Sequence, residues 1–302
     1  MVDQLERSGT GDSPVWRSAA HGWRRRVARS ATSTRGTRIS WVILSAAVLA
    51  AVIVPLLVPL TGSQLGQVLL PPSWHHPLGT DSLGRDMLLR SVYGMRISFV
   101  VALLSAVTAT VLGTIVGTVA GALGGWTDRI VMRLVDTTTA VPHLVLGVFI
   151  VALFQPSLTA VVASIGLTHW STVARIIRAE VLVLREQPYI DAAVSGGSGR
   201  LRVLARHLVP GVAPRALLAG TLLLPHAIFH ESALSFLGLG LPPHLPSLGV
   251  MIEQGQSGLL SGAWWSALVP GFFIIIVTLA VAGLAQRLQR RLDPKRATEV
   301  DV

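Results

Sequence analysis

Six apolar runs separated by polar connections constrain this chain more than any other feature. They lie at roughly 40–60, 97–120, 130–154, 157–171, 215–238 and 264–285, the fourth being short. A helix that crosses a bilayer needs about 20 mostly apolar residues, and most of these runs meet that length. Charged residues make up only 13% of the chain, against about 25% in ordinary soluble domains. Too little polar surface remains to face water on all sides. The expected fold is therefore all-α and membrane-embedded, with six transmembrane helices.

The first run is not a cleaved targeting signal. The basic segment before it is too long, and its apolar stretch exceeds the ~7–15 residues of a signal core; it reads as a retained helix. In the second run, Gly113, Gly117 and Gly121 recur every fourth residue and share one helix face, where another helix can approach closely. The chain has no cysteine, which excludes disulfides and thiolate metal sites.

A net charge of +10 raises the question of nucleic acid, and the distribution answers it. Lys295 is the only lysine; the arginines gather in the N-terminal tail (Arg24, Arg25, Arg26, Arg29, Arg35, Arg38), in 175–215 and after 286. They alternate with apolar segments instead of forming a continuous phosphate-binding face. With the N-terminus inside, 22 of the 25 basic residues fall in inner segments and three (Arg85, Arg90, Arg96) in outer ones. That asymmetry places both termini in the cytoplasm. The N-terminal arginines would act as a topology anchor attracted to anionic lipid.

Residues 172–214 form the longest polar stretch between runs. It reads as a helix from Val173 to Arg185, a second after Pro188 carrying Asp191, Ala192 and Ala193, then Gly196, Gly197 and Gly199. A periodic run (Leu201, Val203, Leu204, Leu208) leads to Pro210, which is expected to end that helix. Small residues followed by glycines suit a tight turn that another protein can approach closely.

The pattern Asp191-Ala192-Ala193-x3-Gly197-x12-Pro210 resembles the EAA loop of permease subunits in binding-protein-dependent ABC importers. Two further stretches point to the branch that imports dipeptides, oligopeptides or nickel, and to its second permease (C-type) subunit. They are His76-Pro77-Leu78-Gly79-Thr80-Asp81-x2-Gly84-Arg85-Asp86 and Glu231-Ser232-Ala233-Leu234-Ser235-Phe236-Leu237-Gly238-Leu239-Gly240, the latter followed by Pro246-Ser247-Leu248-Gly249. The resemblance runs from about 40 to 290. Departures are Asp191 for the usual Glu, Gly196 for Leu, Arg200 for Asp and Leu248 for Trp.

The resemblance implies a type I importer transmembrane domain at 96–286 with its coupling loop at 172–214. The preceding segment, 39–95, carries the first helix and an extracytoplasmic stretch, and 1–38 and 287–302 are cytoplasmic tails. It implies a prokaryotic cytoplasmic membrane and a coupling loop seated on a cytoplasmic ATPase through Asp191, Ala192, Ala193, Gly197, Arg202, Arg206 and Pro210. The implied partners are two ABC ATPase subunits, a second homologous permease, an extracytoplasmic solute-binding protein and membrane lipid. The expected cargo is short peptides, with nickel or glutathione as alternatives within the same architecture. ATP and Mg would be bound by the partner ATPases: a P-loop needs a glycine-rich turn followed by lysine, and Lys295 sits in Asp-Pro-Lys-Arg. No cofactor is expected in this chain.

Residues 81–95 can form an amphipathic outer helix, with Asp81–Arg85 and Asp86–Arg90 as i,i+4 pairs on a solvated face. Arg133 and Asp136 could pair locally or snorkel at the inner end of the third run, and His143 follows Pro142 within it. His226, His230 and Glu231 are candidate pathway or helix-packing residues. A metalloprotease would need an arrangement such as His-Glu-x-x-His, whereas Glu231 directly follows His230 and points about 100° away from it. A secondary transporter would commonly show two similar halves, and none is visible. A secondary transporter also leaves the large basic loop with its motif unexplained.

Overall fold

A computed structural model describes residues 34–60 and 67–292, so the N-terminal arginine cluster Arg24–Arg29 and Lys295 lie outside the described residues. The elements are α1 (Thr34–Leu57), α2 (Met87–Leu123), α3 (Gly125–Ala140), α4 (His143–Leu153), α5 (Leu158–Arg185), α6 (Pro188–Ser195), α7 (Arg200–Val203), α8 (Val209–Phe236), α9 (Leu248–Leu260) and α10 (Trp265–Leu292). Among the described residues there is no strand, only an isolated bridge between Thr80 and Asp86. Five helices are long and apolar enough to cross a membrane: α1, α2, α5, α10, and α7–α8 as one continuous helix over Arg200–Phe236. The pair α3 and α4 makes a sixth crossing only as a broken span.

That break corrects the expectation of a straight third span over 130–154. The axes of α3 and α4 differ by 90°. Pro142 has no N–H and disfavours helical backbone in the residue before it, and Val141 is accordingly extended (φ −85°, ψ 131°). With 11 residues, α4 rises only about 16 Å, half of the ~30 Å hydrocarbon thickness.

The glycine stripe does what its spacing predicts. Gly113, Gly117 and Gly121 meet Val173, Ile177 and Val181 in turn, so α2 and α5 run parallel in close contact. The fourth span is longer than expected: α5 continues for 28 residues to Arg185. Much of the expected inner loop is thus a prolongation of a spanning helix. Its Val173, Ala174, Ile177 and Val181 are buried, while the intervening Arg175, Arg178 and Glu180 face outward to partners on neighbouring helices.

Pro210 does not end a helix, contrary to expectation. The backbone widens into one π turn at Leu204–Leu208, where the Val209 N–H reaches the Leu204 carbonyl five residues back. Pro210 follows that turn directly, inside the continuous helix, where the widened turn accommodates its missing N–H. A short connection re-enters the bundle after α8, and the 13-residue α9 leads back out towards α10. The main core joins Val101, Ile165, Ala227, Ile228, Leu234 and Val277 from four helices. Apolar side chains on α1, such as Leu49 and Leu56, are exposed on the outer surface, as a lipid-facing helix requires.

Candidate functional site

The inner end is built around α6. Gln187 is extended (φ −80°, ψ 137°), and Pro188 occupies the first turn with its ring pre-set for helix. The helix buries only Ile190; Asp191 and Ala192 are exposed and Ala193 half-buried. Its end is a Schellman motif: the Ser198 N–H donates to the Ala193 carbonyl (3.0 Å) and the Gly197 N–H to the Val194 carbonyl (2.9 Å). Gly197 carries the left-handed backbone this motif needs (φ +83°), which glycine adopts without cost.

Ile190 packs with Val203, Leu208 and Val212 against Val173, Ile177 and Val181. The small exposed helix is thereby packed against both α5 and α8 through one apolar cluster. Beside it opens a cleft of about 500 Å³ lined by Arg185, Asp191, Val194, Arg200 and Leu201. Leu201 is 77% exposed, and Arg202 and Arg206 are exposed on the same segment.

Three ion pairs brace α5 one turn above. Arg178 grips both carboxylate oxygens of Asp128, with Nη2 to Oδ2 at 2.6 Å. Arg175 reaches Asp136 (2.9 Å) and Arg215 reaches Glu180 (2.9 Å). Asp136 therefore pairs across to α5, not locally with Arg133, which is exposed.

The outer segment also departs from expectation. Residues 81–86 form a turn, and the helix begins at Met87. Asp86 caps it, accepting from the Leu89 N–H (2.9 Å), and pairs with His76 (2.9 Å) instead of Arg90. Asp81 holds Arg85 (2.7 Å) and also Arg90 (2.7 Å), which is 2% exposed and further bonded to Gln254 on α9. Of the two pairs expected on a solvated face, Asp81–Arg85 forms and Asp86–Arg90 does not; Arg90 instead joins Asp81 in a buried brace linking the outer turn, α2 and α9. The sequence signal that could have shown it is the i,i+9 spacing of Asp81 and Arg90 around a turn.

His230 and Glu231 part company, as their 100° offset implies. Glu231 is fully buried and accepts from Ser98 Oγ (2.9 Å) on α2 and Ser235 Oγ (3.0 Å) on its own helix. Ser98 Oγ in turn accepts from the Leu248 N–H (3.4 Å) at the start of α9. Glu231 is thus a hub that seats α9 against α2 and α8. His230 turns instead to His169, with ring centroids 5.1 Å apart, and His169 stacks on His143 at 4.9 Å. His226 is exposed one turn inward. Sequence reasoning missed His169, which stands alone in a span and becomes significant only through the fold. Among the described residues no group of three or more His, Asp or Glu has the arrangement to hold a metal ion.

Residues 109–297 match the family of binding-protein-dependent transport system inner membrane components. The chain belongs to that family. The permease is 38% identical over 247 residues to the dipeptide transport system permease protein DppC of Bacillus subtilis, covering 81% of this chain and 77% of that one. It is 36% identical to the oligopeptide transport system permease protein OppC of the same organism, covering 74% of this chain and 73% of that one. A putative peptide transport system permease protein of Brucella suis matches at 36% identity over 90% of this chain and 92% of its own. Among solved structures, inward-facing conformations of the MetNI methionine ABC transporter match with a TM-score of 0.56, 18% identity and coverage of 68% of this chain and 98% of that one. The permease is therefore a multi-pass membrane component of an ABC importer, with the fold of that transporter class.

Proposed function

We propose that this permease carries short peptides across the cytoplasmic membrane, and that α6 is the helix on which a cytoplasmic ATPase seats. The observation that carries this reading is the inner end itself. A single exposed eight-residue helix, with small residues on its free face, is clamped by one apolar cluster to two spanning helices. Among the described residues, only Ile190 of that helix is buried. A partner that grips the helix obtains a handle on α5 and α8.

In this reading Ala192 and Ala193 give close seating, Gly197 closes the helix, and Asp191 offers a polar contact at the first turn. Arg202 and Arg206 meet acidic groups of the partner or lipid phosphates. Pro210, with the π turn before it, passes the strain into α8. Closure of two ATPases on ATP would draw two such helices together, one from this chain and one from a second permease, and tilt the spans behind them. Peptide would arrive from an extracytoplasmic binding protein. Both termini lie in the cytoplasm, consistent with the arginine distribution and with α2 and α5 running in the same direction. Hydrolysis of ATP belongs to the partner subunits.

The absence of native cysteine makes the test direct. A single cysteine at Ala192 should cross-link the permease to an ATPase subunit in native membranes, identified by mass spectrometry, whereas one at exposed Leu56 on α1 should not. A cross-link from position 192 to lipid alone would count against the coupling assignment.

A further inference from the structure

The segment that joins the exposed helix α6 to the span α8 carries two overlapping apolar faces, and only one of them is buried. Val203 and Leu208 are both buried, together with Val212 and Ala216. Five residues separate Val203 from Leu208, which in an α-helix would turn one about 140° away from the other. The π turn at Leu204–Leu208 takes up the extra residue and brings both to one side. Leu201, Leu204 and Leu208, by contrast, are spaced by three and four residues, as one face of an ordinary α-helix. Yet Leu201 is 77% exposed and Leu204 only half-buried.

We infer that residues 200–208 form a two-register switch between α6, the helix an ATPase would grip, and the span α8. The widened register buries Val203. A straight register buries Leu201 and Leu204 instead and turns Val203 out.

The surroundings suit such an exchange. Leu201, Val203, Leu204 and Leu208 together line the cleft of about 500 Å³ beside α6, so Leu201 has room to turn in as Val203 turns out. The helical ladder is thin at this point. The Val209 N–H reaches back five residues to Leu204, and neither Pro210 nor Pro214 has an N–H to return to the carbonyl four residues before it. Just beyond Pro214, Arg215 pairs with Glu180 on α5 (2.9 Å), which holds the span side of the segment to its neighbour. Ile190 of α6 shares one apolar cluster with Val203 and Leu208, so α6 follows whichever residue is buried. A change of register by one residue turns α7 by about 100° and shifts it by about 1.5 Å relative to α8. The docking helix thereby has two discrete seats against the spans, and closure of the ATPases selects between them. Single π turns inside α-helices recur at functional positions.

This inference rests on the coupling role proposed for α6, and its test separates the two. Leu201→Cys and Val203→Cys are introduced singly into the otherwise cysteine-free chain. The complete importer, with partner permease, ATPases and binding protein, is reconstituted in nanodiscs. A charged maleimide is applied without nucleotide and again with MgATP trapped by vanadate, and labelling of this chain is read by mass spectrometry. The two positions should change severalfold in opposite senses between the two states. No change at either position, a change at only one, or changes in the same sense would overturn the switch and leave the coupling role standing. Deletion of the exposed Ala205 provides a second readout that does not depend on labelling. It sets Val203 four residues from Leu208, so an unbroken α-helix buries Val203 and nothing is left to exchange. That variant should keep the wild-type Tm and co-purify with the ATPases, yet lower ATP-driven peptide uptake severalfold; uptake at the wild-type rate would overturn the switch. A wild-type chain that co-purifies with no ATPase would overturn the coupling role and the switch with it.

Discussion

Replacing Gly113 by alanine adds one methyl group where α2 packs closely on α5. Built on the backbone, that carbon stands 2.5 Å from Val173 Cβ and 2.6 Å from the Trp170 carbonyl oxygen. Non-bonded carbons rest at about 3.5–4.0 Å, so α2 and α5 must separate by about 1 Å locally. Overpacking of this kind costs about 1–3 kcal/mol, against about 0.5–1 kcal/mol gained by alanine over glycine within a helix. A net loss of about 0–2.5 kcal/mol follows, towards the upper end because the clash includes a backbone carbonyl. Gly271→Ala in α10 is the matched control: its nearest foreign atom, Ile252 Cδ1, lies 4.0 Å away. Only the propensity gain remains there, so that variant should equal or exceed the wild type. Thermal unfolding of the purified protein in one detergent reads both. Opposite signs for the two substitutions are expected; a Gly113→Ala protein as stable as Gly271→Ala would refute close packing of α2 on α5.

The remaining predictions concern polar braces and the hub. Asp81→Ala leaves Arg90, 2% exposed, without its carboxylate and should cost about 3–5 kcal/mol. Asp86→Ala removes only a helix cap and a partly exposed pair, and should cost about 1 kcal/mol; the ratio is read by thermal unfolding. Glu231→Leu strands the hydroxyls of Ser98 and Ser235, at about 1–3 kcal/mol each. It should also speed hydrogen exchange at the start of α9, with Glu231→Gln milder on both measures. A double-mutant cycle on Arg178 and Asp128 should give a coupling of about 0.5–3 kcal/mol, and the cycle on Arg133 and Asp136 none.

The membrane character, the close approach of another helix to the glycine face of α2 and the helix around Asp191–Gly197 were legible because each is written in local periodicity; that α5 is the partner, and runs parallel, came from the fold. Glycines at every fourth residue and a Pro-initiated, glycine-closed helix declare themselves without tertiary information. The elements that misled were those where charge was read as exposure. Arg175, Arg178 and Glu180 looked like a polar loop, but each finds a partner on another helix while the opposite face of α5 is buried. Asp81 and Arg90 looked like surface charges for the same reason. Pro142 and Pro210 carry opposite outcomes: one breaks a span by 90°, the other is absorbed by a π turn. Sequence alone offers no means of telling them apart, since the outcome depends on what packs around the freed carbonyls. Of the three histidines in ring contact, His143 and His230 were visible in the sequence and His169 was supplied by the fold.

The most direct test of the importer account is peptide uptake by cells that carry or lack this permease. ATP is depleted while the ion gradient is held. Uptake of a labelled dipeptide that requires the chain and stops with ATP depletion is the expected result, and a bulky Ala192→Trp substitution on the free face of α6 should abolish it without removing the permease from the membrane. Uptake that persists on the ion gradient alone, or that survives Ala192→Trp undiminished, would contradict the account.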